Sequence, residues 1–257
     1  MPAGFKDLFS RGSAEYAAFR PTYPAALFAW LASRCPGRGL AWDCATGNGQ
    51  AALGLAEHFQ RVVATDASPE QIAIARPHPR VEYQVALAES SGLADGAADL
   101  VTVAQALHWL DRPAFYAEAR RVLKPGGVIA AWCYNLLRIA PEIDALIFRL
   151  YSVTLAGFWS TDRALVDQGY RTVGLPFEEL EAPAFEMASN WTLPRLLGYL
   201  GTWSATLKYQ AERGEDPVRS LEAELGASWG DPETARRVSW PLSLRVGRAG
   251  NAATSSC

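Results

Sequence analysis

A chain of 257 residues with 49% hydrophobic and 20% charged side chains can bury a full core and has the make-up of an ordinary globular protein. A net charge of -3 offers no basic field for a nucleic-acid backbone, although one placed Arg can still hold a small carboxylate. Cys35, Cys44, Cys133 and Cys257 are irregularly spaced with no CxxC, MPAGFKDLFSRGSAEY lacks an apolar signal core, and no stretch is long enough to span a bilayer, which together predict a cytoplasmic protein with free thiols.

The first forty residues are helical in tendency but broken by RPTYP (20–24), whose second proline is placed to open a helix over PAALFAWLASR (24–34) from position N1. LAWDCA is a short buried strand, followed by a glycine loop and a helical pattern over QAALGLAEHF (50–59). RVVATDA (61–67) is a second buried strand, after which Ser68 suits an N-cap with Pro69 at N1. VEYQVAL (81–87) and DLVTVAQAL (99–107) are the third and fourth strands. RPAFYAEARRVL (112–123) is an amphipathic helix closed by a KPGG turn, and VIAAWCY (128–134) is the fifth strand. Alternation of strand and helix over 40–134 marks a doubly wound parallel sheet.

Beyond residue 135 the rhythm changes. IDALIFRLYSVTL (143–155) and LPRLLGYLGTWSATLKYQAER (193–213) predict long apolar helices, suited to form a lid or an interface. AFEMASNW (184–191) and VSWPLSLRV (238–246) predict two strands paired antiparallel at the far edge of the sheet. The expected fold is α/β: a Rossmann-like sheet of seven mostly parallel strands, with an antiparallel edge hairpin and a helical lid inserted near the C-terminus. Residues 1–35 form a helical cap over the site, 36–135 the cofactor-binding core, 136–248 the substrate-side helices and last strands, and 249–257 a disordered tail. Nine Trp are many for this length, and some are expected to line a pocket.

The glycine loop allows a ligand to approach the backbone, and the helix after it offers free N–H groups and a partial positive charge. GNGQAA (47–52) fits the G-x-G-x-x-G/A dinucleotide pattern as well, and Asp66 at the end of the next strand suits ribose hydroxyls under either reading. Asp43 favours S-adenosylmethionine: a carboxylate just before the loop needs a cationic or donor partner, which the methionine ammonium supplies through water or backbone, and a pyrophosphate gains nothing from it.

YAAFRPTYP (16–24), WDCATGNGQ (42–50), VVATDAS (62–68), ALAES (86–90), AQALHWLD (104–111), RVLKPGGVIAAW (121–132) and WPLSLRVGR (240–248) carry a resemblance spanning most of the chain. On these segments it resembles the class I S-adenosylmethionine-dependent methyltransferases, and among them the group of trans-aconitate methyltransferase-like enzymes. AQALHW with RPTYP is more specific than the glycine loop. Two positions depart from the family pattern: Ala45 replaces the first loop glycine, and Leu87 stands where related enzymes often place an Asp for the adenine amino group.

The resemblance implies a cofactor site of Arg20, Tyr23, Asp43, Ala45, Gly47, Asn48, Gly49, Gln50, Asp66, Ala67, Ala88, Glu89, Gln105 and Ala106. Arg20 would meet a carboxylate of either cofactor or substrate. His108 is the one candidate general base, needed only if the acceptor is a hydroxyl or amine, and Trp109, Trp132, Tyr134 and Trp203 are candidates for the acceptor pocket. The implied reaction is transfer of a methyl group to a small carboxylate or other oxygen nucleophile, without a metal, by a monomer or homodimer that engages neither nucleic acid nor membrane. A non-catalytic S-adenosylmethionine-binding regulator and an NAD(P)-dependent oxidoreductase are the alternatives.

Overall fold

The computed structural model describes residues 21–250. Helix α1 (Ala25–Arg34) begins one residue later than expected, with Pro24 as its N-cap, and buries Leu27, Phe28, Leu31 and Ala32. Strand β1 (Leu40–Cys44) is buried along its whole length, as a strand covered on both faces must be. It leads into α2 (Gln50–Ala56), then β2 (Arg61–Asp66), α3 (Pro69–Ala73), β3 (Val81–Val85) and β4 (Ala98–Ala104). Ser68 caps α3 by accepting the Gln71 N–H at 3.2 Å, with Pro69 at N1.

Helix α4 (Arg112–Val122) is capped by Asp111 and runs directly into β5 (Leu123–Tyr134). The expected KPGG turn is a bulged start to that strand: Leu123 already pairs with Ala98, and the register shifts before Leu100 meets Val128.

The sheet order is β3-β2-β1-β4-β5-β8-β6, with the first five strands parallel and β8 (Arg236–Arg248) antiparallel to β5. All seven expected strands are present. The additional one is the two-residue β6 (Glu178–Glu179) on the outer edge of β8. The expected hairpin forms between β7 (Glu186–Trp191) and the first half of β8, from Glu186↔Pro241 to Trp191↔Arg236. The second half of β8 pairs with β5 from Leu242↔Tyr134 onward. Pro241, which has no N–H to give a ladder, stands at the handover.

Between β5 and β8 lie α5 (Pro141–Arg149), α6 (Arg163–Asp167), α7 (Leu193–Gly201), α8 (Ser204–Arg213) and α9 (Glu222–Trp229). Apart from α6, whose Val166 joins the sheet core, they share a core of their own, in which Ile143, Ile147, Leu196 and Leu200 pack with Trp191, Trp229 and Trp240. Two predicted helices are interrupted. The first passes at Leu150–Thr154 into a wider π-type turn that redirects Tyr151. The second breaks after Gly201, where the Thr202 hydroxyl donates back to the Tyr199 carbonyl at 2.7 Å and competes with helix continuation. Ala249, just past the end of β8, donates its N–H to the Gly127 carbonyl at 2.8 Å; residues 251–257 of the expected tail lie outside the described residues. No helix among the described residues is long and apolar enough to cross a membrane.

Candidate active site

The loop after β1 takes the left-handed conformation at Ala45 (φ 53°), Gly47 (φ 57°) and Gly49 (φ 88°). Ala45 holds that conformation with a Cβ, at a cost of about 1 kcal/mol relative to glycine. Two contacts fix the loop. The Thr46 N–H donates to the Thr65 carbonyl at 2.9 Å, and Asp66 at the end of β2 accepts the Gly47 N–H at 2.8 Å and the Ser68 N–H at 2.9 Å. Burial raises the Asp66 carboxyl above its ordinary range, against the hydrogen bonds from Ser68, Gly47 and Ala67 that hold it down.

This loop forms one end of a cavity of about 820 Å³ at the carboxyl edge of the parallel strands, where open α/β sheets hold their ligands. Ala45, Gly47, Asn48 and Gln50 line it from the loop, Asp66 and Ala67 from β2, and Ala88 and Glu89 from the segment after β3. Gln105, Ala106, His108 and Trp109 line it from the segment after β4, joined by Tyr23, Tyr134 and Trp203. The Gln105 side chain donates to the Tyr134 carbonyl at 3.1 Å and accepts its N–H at 2.8 Å. It therefore ties the ends of β4 and β5 together, and its amide is spent on backbone. Glu118 of α4 accepts from both the N–H and the hydroxyl of Ser91, which anchors the segment after Glu89. Arg121 and Ser91 hold the Glu118 carboxyl down to about 2.

Three sequence candidates do not line the cavity. Asp43 is fully buried beneath the loop, accepting from the Thr46 hydroxyl at 2.5 Å and the Thr102 hydroxyl at 2.7 Å. Through these hydroxyls it holds the loop from behind. Burial raises its carboxyl to about 6, against the lowering effect of both hydroxyls. Gly49 sits beneath the ring of Tyr83, which a Cβ would strike, so its glycine serves packing at the start of α2. Trp132 is a core residue, sealed between Phe28 and Tyr23, and Tyr23 is the ring that meets the cavity. Arg20 lies outside the described residues.

The end of the cavity away from the loop is lined by Trp159 from the segment before α6, Arg163 at the start of α6, Tyr199 of α7 and Trp203 from the turn between α7 and α8. Arg163 was not apparent from sequence. Its Nη2 donates to the Asn135 side chain at 2.8 Å and its Nε to the Tyr151 hydroxyl at 3.1 Å, with its guanidinium 5.0 Å from the centre of the Trp159 ring. Asp167 lies 3.6 Å from Nε and also accepts from Asn135 and Tyr151. Arg112 lines the same region and makes no ion pair among the described residues. Asp111 beside it is engaged as the α4 cap.

His108 lies between these cations, 6% exposed, with Nδ1 2.8 Å from the Tyr170 hydroxyl. Burial first, then Arg163 and Arg112, lower its pKa to about 3, so the ring is neutral at any physiological pH. The fully buried Tyr170 follows α6 through a Schellman-type turn: its N–H donates to the Leu165 carbonyl, and that of Gly169 to Val166. Gly169 (φ 59°) and Tyr170 (φ 58°) are both left-handed, and Arg245 holds the strained segment by donating to the carbonyls of Tyr170 and Val173. An added Cβ at Gly169 would lie 2.9 Å from Ser243 Cβ on β8. Gly169→Ala is therefore expected to destabilise the fold by about 2–4 kcal/mol, combining backbone strain with a clash against the sheet, as read by urea denaturation.

The profile of the methyltransferase-domain family matches residues 42–131, from within β1 into β5. A protein of Dictyostelium discoideum named as a methyltransferase is 32% identical over 228 residues, covering 87% of each chain. The chain belongs to the class I S-adenosylmethionine-dependent methyltransferases. A type II methyltransferase structure from Anaeromyxobacter dehalogenans superposes with a TM-score of 0.87 at 49% identity, covering 91% of this methyltransferase and 99% of that chain. A methyltransferase structure from Anabaena variabilis shares the fold at 17% identity, with a TM-score of 0.53 over 86% of this chain and 98% of its own. Family membership sets aside the nicotinamide-dependent alternative, which the glycine loop alone had left open.

Proposed function

We propose that this methyltransferase transfers a methyl group from S-adenosylmethionine to a carboxylate of a small-molecule acceptor in the cytoplasm. The loop end of the cavity fits the cofactor. Gly47 offers backbone without a side chain, Asp66 brings a carboxylate to the strand end where ribose hydroxyls would bind, and Ala88 leaves room for a base beside Glu89. When bound, S-adenosylmethionine supplies an activated methyl carbon on a sulfonium. The protein's tasks are then to align the acceptor and to exclude water.

One observation carries the choice of acceptor: two guanidinium groups, Arg112 and Arg163, line the far end of the cavity beside a histidine held neutral. Such a site attracts an anion, and a carboxylate arrives as an ionised nucleophile with no proton to remove. Trp109, Trp159 and Trp203 wall the site from solvent and offer their faces to positive charge. The resemblance to trans-aconitate methyltransferase-like enzymes points the same way.

Labelled methyl transfer into a panel of small carboxylic acids, phenols and amines tests the proposal. Incorporation into carboxylic acids, as base-labile ester, is expected; label confined to amines or phenols refutes the choice of acceptor. Thermal shifts distinguish the cofactor, with S-adenosylhomocysteine expected to raise the melting temperature and NAD(P) to leave it unchanged. A protein that binds S-adenosylhomocysteine yet labels nothing in a broad panel favours the non-catalytic alternative.

A further inference from the structure

We infer that His108 presents an Nε2–H donor to an acceptor oxygen, and that Tyr170 fixes the imidazole in that form. The inference rests on the carboxylate-acceptor reading above for the identity of the oxygen, but not for the state of the ring.

The Tyr170 hydroxyl has one proton to donate and two lone pairs to accept with. Tyr170 is fully buried, and the one hydrogen-bond partner of its hydroxyl among the described residues is Nδ1 of His108, at the start of the 3₁₀ turn Leu107–Trp109. A buried hydroxyl proton left without an acceptor is costly, so it goes to Nδ1 of His108 at 2.8 Å. Nδ1 is then the acceptor, and a neutral imidazole carries its proton on Nε2. Burial keeps the tyrosine protonated by pushing its pKa well above the ordinary value.

The surroundings favour a neutral ring. Arg163 from α6 and Arg112 from α4 face it, Trp109 lies tilted at 44° with ring centres 4.5 Å apart, and Tyr170 closes the remaining side with the Cys133 thiol near that hydroxyl. No carboxylate among the described residues pairs with His108. Its Nε2 makes no hydrogen bond among them and is not sealed from solvent, while His108 itself lines the cavity. The strained turn at Gly169 and Tyr170, clamped by Arg245, places the hydroxyl beneath the ring. A fixed N–H beside two cations donates to a carboxylate oxygen and is left unsatisfied when that oxygen is missing, a strong basis for discrimination.

The test is the two-bond ¹H–¹⁵N spectrum of full-length protein labelled with ¹⁵N-histidine, recorded alone and with S-adenosylhomocysteine from pH 6 to 8. One histidine should show the Nε2–H pattern throughout, and that signal should vanish in His108→Gln. An Nδ1–H pattern, or an imidazolium at pH 7, overturns the inference whatever the acceptor proves to be. Tyr170→Phe should release the ring to a mixture of forms; an unchanged Nε2–H pattern removes Tyr170 from the argument. Should that variant fail to fold, the wild-type spectrum still decides the tautomer.

Kinetics on a carboxylic acid that accepts label give the second reading. His108→Gln, whose amide N–H₂ falls near the position of Nε2, should keep KM within about threefold, whereas His108→Ala should raise it about 10-fold or more with little change in kcat. A fall in kcat with KM unchanged and a new pH inflection would mark a base instead. Label going only to amines would refute the carboxylate reading while leaving the tautomer result standing.

Discussion

Asp66→Ala is expected to weaken S-adenosylhomocysteine binding about 100-fold or more, measured by calorimetry. A carboxylate that accepts two ribose hydroxyls contributes charge-assisted hydrogen bonds worth about 1.5–3 kcal/mol each, and the variant loses both. It also frees the Gly47 and Ser68 N–H groups that the carboxylate now holds at 2.8 and 2.9 Å, so the loop loses its tie to β2. Asp66→Asn separates the two effects, because its remaining oxygen can still accept one N–H while the charge is gone. Its affinity should lie between those of wild type and Asp66→Ala. An affinity for Asp66→Ala within threefold of wild type would show that the cofactor does not use this carboxylate.

Asp66 could be read from the chain because its position follows from local pattern: a buried strand, an acid at its end, and a cap at Ser68 after it. The parallel sheet was legible for the same reason. Orientation within a doubly covered strand was not. Trp132 and Tyr134 lie two apart in β5 and so share one face; Tyr134 at the strand end reaches the cavity, while Trp132 is covered by Phe28 and Tyr23, which come from elsewhere in the chain. The direction of the Asp43 carboxylate was likewise open, since a carboxylate before a glycine loop can turn toward the ligand or beneath the loop, and Thr102, distant in sequence, holds it beneath. Arg163 and Tyr170 were invisible because their meaning is tertiary. One depends on a π-type turn that redirects Tyr151, the other on consecutive left-handed residues against β8. The aromatic content was a fair sign of a lined pocket, yet Trp42, Trp132, Trp191, Trp229 and Trp240 are all sealed in cores.

The second large expectation concerns pH. Asp43 titrates near 6 in the fold against an ordinary value of 3.8, so the folded state binds more protons than the unfolded chain between those values. Its contribution to stability is fully present below about pH 4 and is lost as pH rises through 6, a loss on the order of 3 kcal/mol. His108 runs the other way. Its pKa falls from 6.5 to about 3, so stability is present above pH 6.5 and lost as pH falls, on the order of 5 kcal/mol in the limit. The two slopes oppose each other between pH 4 and 6, and the wild type should be nearly level there. Asp43→Asn removes the first slope alone. The substitution is tolerable because Thr102 can accept from the new amide and turn its own hydroxyl proton to the Trp42 carbonyl, already 3.4 Å away. Guanidinium denaturation should therefore find Asp43→Asn more stable than wild type by up to about 3 kcal/mol at pH 7.5 and no more stable at pH 4. A gain that is the same at both pH values would show that the buried carboxylate is not the source. Its affinity for S-adenosylhomocysteine should fall nonetheless, because the charge that disfavours the fold also draws in the Thr46 hydroxyl and so holds the loop against Asp66.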